Sequence, residues 1–210
     1  MLITRYAKIV MVLSLAIFCL LVAFTNLTDY STNFLFVKHV LSMDTTFPGN
    51  ALMYRSITSP ELWSAAYGLI IAGQIVAGVL FLAGAICLWQ ERHASGLSFN
   101  GAKGLTIAGV LAAFLIWFFG FMVIGGEWFA MWQSQTWNGQ DAAFRFYLTA
   151  LAVLIFVNQP DGDLPAPAKP AKAKPAKAAP AKRAPAKTAA TKRNPTRRRT
   201  DKGRRRTDTE

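Results

Sequence analysis

MVIGGEWFAMWQSQTWNGQDAAFRFY, residues 122–147, leaves an apolar run and enters another within twenty-six residues. Glu127 is the first charge after the apolar start. Trp128, Trp132 and Trp137 occupy the polar middle, and Arg145 stands at the start of the next apolar run. Tryptophan is enriched where a bilayer meets water. The stretch therefore reads as a turn over one bilayer surface between two membrane-spanning helices. Glu127 lies about 34 Å along an α-helix begun at Gly104, which puts it at the interface. With Arg145 near the same surface, the expectation is an interfacial Glu127–Arg145 pair set in a tryptophan belt. The competing reading is a ligand-binding pocket on that face.

Backwards from this turn, Gly104–Phe129 is the third span, and Gln90–Lys103 is a short loop. Before the loop, Ser59-Pro60-Glu61 has the form of a helix start. Serine caps, proline has no N–H to lose in the first turn, and glutamate suits the positive end of the dipole. The second span then runs Leu62–Trp89. Gly73 and Ala77 form a small-xxx-small pair on it, with Ala66 and Gly84 on the same face; Gly109 and Ala113 are a pair on the third span. Small residues let membrane helices approach closely, so spans two and three are expected to pack on these pairs. Gln74 is the one strongly polar side chain near a midplane. Polar groups there need a partner or line a cavity. A hydrogen bond stapling spans two and three is expected; a contact to a substrate or quinone is the functional alternative.

Nearer the amino end, Ile9–Leu27 is uncharged over nineteen residues, about 28 Å of helix and enough for one crossing. It reads as an uncleaved first span preceded by Arg5 and Lys8. Thr28–Glu61 is a polar loop in which Phe34, Phe36, Val37, Val40 and Leu41 recur at helical spacing, predicting a short amphipathic helix on the membrane surface. Beyond the turn, Ala142–Asn158 is the fourth span, ended by Pro160.

The chain has 210 residues, 53% hydrophobic, with net charge +12. These values conflict for one soluble domain, and dividing the chain removes the conflict. Residues 159–210 hold sixteen of the 23 Lys+Arg and five of the eleven acids. The remaining 1–158 are nearly neutral and apolar. The tail repeats Pro-Ala-Lys variants that cannot bury a core, so it is expected to be disordered. Binding of anionic lipid or nucleic acid without sequence preference is one reading of it; a solvated tail with no fixed complex is the other. Arg5, Lys8, Arg92, Lys103 and the tail lie on one side of this four-span topology. The positive-inside rule makes both termini cytoplasmic, and an even number of spans agrees.

Catalytic signatures are sparse. His39 and His93 fall on opposite sides of the bilayer, and no nucleophile elbow, phosphate loop or CxxC occurs. No catalytic residue, cofactor or metal is expected. Asp29, His39 and Asp44 are the candidates for a weak metal or proton site on the outer loop, against a solvated loop with helix caps. Cys19 and Cys87 sit in apolar runs at different depths, too far apart for a disulfide.

The segments TDYSTNFLFVKHVLSMDTTFP (28–48), MVIGGEWFAMWQSQTWNGQDAAFRFY (122–147) and FVNQPDG (156–162) resemble a bacterial family of predicted small integral membrane proteins of unknown function. The resemblance covers roughly residues 5–162 and not the tail. It implies four membrane helices and a bacterial inner membrane, and it supplies no activity, substrate or site residue. The expected fold is an all-α membrane protein, a four-transmembrane-helix bundle over 1–158 with a disordered basic tail. The expected function is a non-enzymatic accessory or scaffold subunit, with an oligomeric transporter or channel as the alternative. Its expected partners are the lipid bilayer and either another membrane protein or a second copy of the chain.

Overall fold

A computed structural model describes residues 1–165. The expectations for the rest of the tail lie outside the described residues. Helix α1 is Leu2–Thr28, α2 Tyr30–Ser42, α3 Pro60–Gln90, α4 Gly96–Gly101, α5 Gly104–Phe114 and α6 Gln140–Asn158. Four helices are long and apolar enough to cross a membrane. The described residues contain no strand.

Each start and stop has a local cause. At α3, the Ser59 hydroxyl accepts from the Leu62 N–H at 3.3 Å and donates to Glu61 at 2.6 Å, as the Ser-Pro-Glu signal predicts. Ser95 caps α4 in the same way, accepting from Ser98 N–H at 3.2 Å. The expected loop 90–103 thus carries a short helix, anchored by the fully buried Phe99. α2 is the expected amphipathic helix. Its Val37, Val40 and Leu41 are buried with Tyr67 and Ile71 of α3 and with Phe129 to Met131.

α1 starts earlier than the uncharged run, and Arg5 and Lys8 lie inside it, fully buried. The third span departs further from regular geometry. After Phe114 it continues over Leu115–Trp128 as a π-helix, a winding usually confined to single turns. All-α winding of Gly104–Trp128 would run about 38 Å, past the roughly 30 Å hydrocarbon core. A π turn takes in an extra residue, so the segment advances less per residue and the span shortens.

α1 packs along α3, α3 along α5, α5 and the π segment along α6, and α6 closes back on α1. The core joins Val12, Ala16 and Cys19 of α1 to Phe81 and Leu88 of α3, Val110 and Trp117 of the third span, and Ala150 of α6. Both cysteines are free. Spans two and three touch along the small residues read from the sequence, and the closest approach is at Gly84. A methyl on Gly84 would lie 2.6 Å from Thr106 Oγ1 and 2.9 Å from Thr106 N, so backbone meets backbone there. Gly109 is covered by the Phe81 ring, Gly73 meets only the flexible Ile116 side chain, and Ala77 and Ala113 are fully buried. Gly78 instead admits Leu20 of α1. α3 thus lies close to α5 and parts from the π segment further on, and cavities open where they part.

Candidate functional site

Gln74 is 3% exposed, and its side-chain oxygen accepts from Asn26 Nδ2 at 2.8 Å. The staple therefore joins spans one and two, not two and three. Asn26, near the end of α1, is itself buried, and its carbonyl accepts from the Tyr67 hydroxyl at 3.0 Å. The signal available in the sequence was an amide one residue before the end of the Ile9–Leu27 apolar run. The exchange uses one end of each carboxamide. Gln74 Nε2 and Asn26 Oδ1 have no hydrogen-bond partner among the described residues, and Gln74 and Asn26 both line a cavity of about 210 Å³. Swapping O and N in both amides still leaves each with a free end.

The walls of this cavity are aromatic: Phe36 of α2, Tyr67 of α3, Trp117 and Phe121 of the π segment, and Phe146 of α6. Asn33 adds a third amide, whose side chain has no hydrogen-bond partner among the described residues. A second cavity of about 180 Å³ adjoins it, sharing Phe36, Val37, Ile70 and Phe121, and is lined by apolar groups. Phe36 and Phe121 stack at 5.9 Å and 21° between the two.

At the end of the bundle bearing the tryptophan turn, Glu127 and Arg145 are both exposed, and no ion pair joins them. The expected pair is not formed. Arg55, from the 28–61 loop, takes the position instead. Its guanidinium donates to the Trp128 carbonyl at 3.3 Å, approaches the Glu127 carbonyl at 3.5 Å and lies 4.7 Å from the Trp128 ring centroid. A cation at a helix carboxyl end meets the negative end of the dipole. Arg145 stands across the short turn from Glu127, but Arg55, 72 residues away in the chain, is the cation folded over the helix end. Trp128 and Trp132 are exposed as belt residues should be. Trp137 is half-buried and stacks on His39 at 4.7 Å and 12°. His39 Nδ1 meets Asp44 at 2.8 Å. Asp29 is elsewhere, accepting from Thr32 at 2.9 Å. The described residues contain no group of three His, Cys, Asp or Glu able to hold a metal. Gln133, which the sequence did not single out, ties this cap together. Its oxygen accepts from Phe47 N–H at 3.0 Å and Asn50 Nδ2 at 3.1 Å.

The opposite end carries the start of α1 and the end of α6, and the sequence missed its arrangement. Arg5 donates to the carbonyls of Arg92, Ala94 and Gly162 at 3.0, 2.7 and 2.9 Å and faces the Phe99 ring at 4.7 Å. Lys8 and Lys103 both pair with Asp161, at 2.5 and 2.7 Å, and both donate to the Gln159 carbonyl. Asp163 accepts from the Gly96 N–H at 2.7 Å. Residues 159–163, assigned from sequence to the tail, are thus part of the folded body. Burial pushes the Asp161 carboxyl up, but hydrogen bonds from Lys103 and Lys8 and their charges outweigh it and hold it below the usual carboxylate range. Lysine and arginine so placed were read as orienting charges; nothing in their spacing distinguishes a solvated flank from a buried anchor.

No curated protein and no solved structure matches the chain. A family model described as predicted small integral membrane protein (DUF2165) matches residues 4–160, an interval that begins in the first turn of α1, takes in the other three long helices and stops one residue before Asp161. With that span and this all-helical apolar bundle, the chain belongs to the DUF2165 family of predicted small integral membrane proteins.

Proposed function

We propose that the protein is a non-enzymatic accessory or scaffold subunit of the bacterial inner membrane, with both termini in the cytoplasm. The observation that carries this reading is the closed end of the bundle. Arg5, Lys8 and Lys103 are almost fully buried and bound to loop carbonyls and Asp161. Those cations are used to fix chain segments to one another, and an ion path would need them, or water, in an open lumen. The orientation rests on the same end, which gathers Arg5, Lys8, Arg92 and Lys103 from three parts of the chain.

The test is affinity capture of the full chain from membranes in mild detergent. A stoichiometric second membrane protein is the expected result. A homo-oligomer alone, with solute uptake after reconstitution in liposomes, would overturn the scaffold reading in favour of a transporter. The adjoining cavities beside Gln74 favour that second reading. For orientation, an exported phosphatase fused within 90–103 is expected to be silent, and activity there would reverse the assignment.

A further inference from the structure

We propose that the cavity beside Gln74 binds the carbonyl-bearing ring of a neutral, tailed membrane amphiphile of the quinone class. The polar groups set the chemistry of the head. Gln74 is 97% removed from contact by its neighbours, yet its Nε2 has no acceptor among the described residues, and the side chain lines the cavity. Because the side chain lines the cavity, a ring carbonyl held there would give that donor a partner. Asn26 Oδ1, also unpartnered, accepts the hydroxyl of the reduced ring, so both oxidation states find a partner at the same amide pair. No charged side chain lines the cavity, and a charged head would enter it unpaired, which excludes phospholipid phosphates and carboxylates.

The walls set the shape. Phe36, Tyr67, Trp117, Phe121 and Phe146 present flat apolar surfaces around the amides, suited to a planar ring. Volume is sufficient: an apolar cavity of about 150 Å³ takes up benzene, and this one measures about 210 Å³. The apolar cavity sharing Phe36, Val37, Ile70 and Phe121 lies beyond the Phe36–Phe121 stack and takes the first part of the tail once those rings turn aside. Access is lateral, between α2 and α6, where Asn33 is half-buried and Ala142 exposed on the rim.

The experiment uses the full chain in phosphatidylcholine nanodiscs, titrated with a decyl-tailed benzoquinone while tryptophan fluorescence is followed. The expected result is a saturable quench above the linear one that partition into lipid produces, largely absent in Trp117→Phe. Gln74→Leu should weaken it on the order of tenfold. Because that change also removes the Asn26 bond, Asn33→Leu is the second variant. The Asn33 side chain makes no hydrogen bond among the described residues, so its replacement should weaken quinone binding at an unchanged melting temperature. A purely linear quench in the unaltered protein overturns the proposal. So does equal affinity in all variants, and so does displacement of the quinone by decan-1-ol at equal concentration, which would show a site for any tail.

Discussion

Asn26 and Gln74 exchange one hydrogen bond where neither amide can turn to bulk water. Such bonds between membrane helices average about 0.6 kcal/mol and reach about 1.7, because the alternative states also find partners. A double-mutant cycle with Asn26→Leu and Gln74→Leu, read by thermal unfolding in detergent, is predicted to give a coupling within that range. Strict additivity would mean that the pair is not formed. Asp161 stands at the other extreme, with two lysines depending on one carboxylate. Asp161→Asn leaves both buried cations unpaired and is predicted to cost about 3–5 kcal/mol. Its pH dependence has a definite sign. A carboxyl held below its ordinary value when folded contributes stability that is full above the unfolded pKa, near 4, and fades as pH falls through the lower folded value. Acid melting curves of the unaltered protein should therefore fall below about pH 4, and Asp161→Asn should lack that arm. An identical acid arm in the variant would assign it to another carboxylate. Among these residues Gln74 was legible in sequence, because one amide in a long apolar run is conspicuous. Asn26 and Asp161 were not, because each sits next to polar loop residues that share its composition.

At the scale of elements, the second and third spans are set by Gly84 and Thr106. Gly84→Ala would push a methyl into backbone that cannot move alone, and it is predicted to destabilise by about 1–3 kcal/mol. Gly101→Ala, where nothing lies within 4 Å, should be silent. Equal melting temperatures for the two variants would show that the helices can part at Gly84 without cost. The four long helices and α2 were legible, since hydropathy, length and spacing report them directly, whereas the six-residue α4 is too short to leave such a pattern. The small-residue pattern gave the packing face but not the depth of closest approach. Gly73 and Gly84 lie on that one face, and only the facing residue decides between them: a flexible isoleucine at one, a threonine backbone at the other. The π winding of Leu115–Trp128 was illegible, because aromatic and glycine-rich runs carry no mark of a five-residue hydrogen-bond step. Ala130, at φ 51°, ends the turn after that segment in a conformation the sequence would assign to glycine.

For the whole molecule, four spans and a start and finish at one end agree with the parity read from the sequence. What composition misplaced was the border of the folded body. Gln159 to Asp163 looked like the head of the tail, because proline, glycine and aspartate are loop residues. Their carbonyls and carboxylates are the acceptors for Arg5, Lys8 and Lys103. A chain stopped after Pro165 is therefore predicted to melt like the full-length protein, and one stopped after Asn158 to melt several degrees lower in the same detergent. Equal melting temperatures for the two would remove the closing role assigned to this segment.

That closing segment also orders events in time. Arg5 and Gly162 are 157 residues apart in the chain, and Lys8 and Asp161 are 153 apart. A ribosome delivers the two cations first. The Arg92 and Ala94 carbonyls that Arg5 uses follow the second span, and the Gly162 carbonyl and Asp161 come only after the fourth. Lys8 therefore has no carboxylate of this cluster to pair with until the fourth helix has been made. The clasp on the first helix can close only when the fourth is in place.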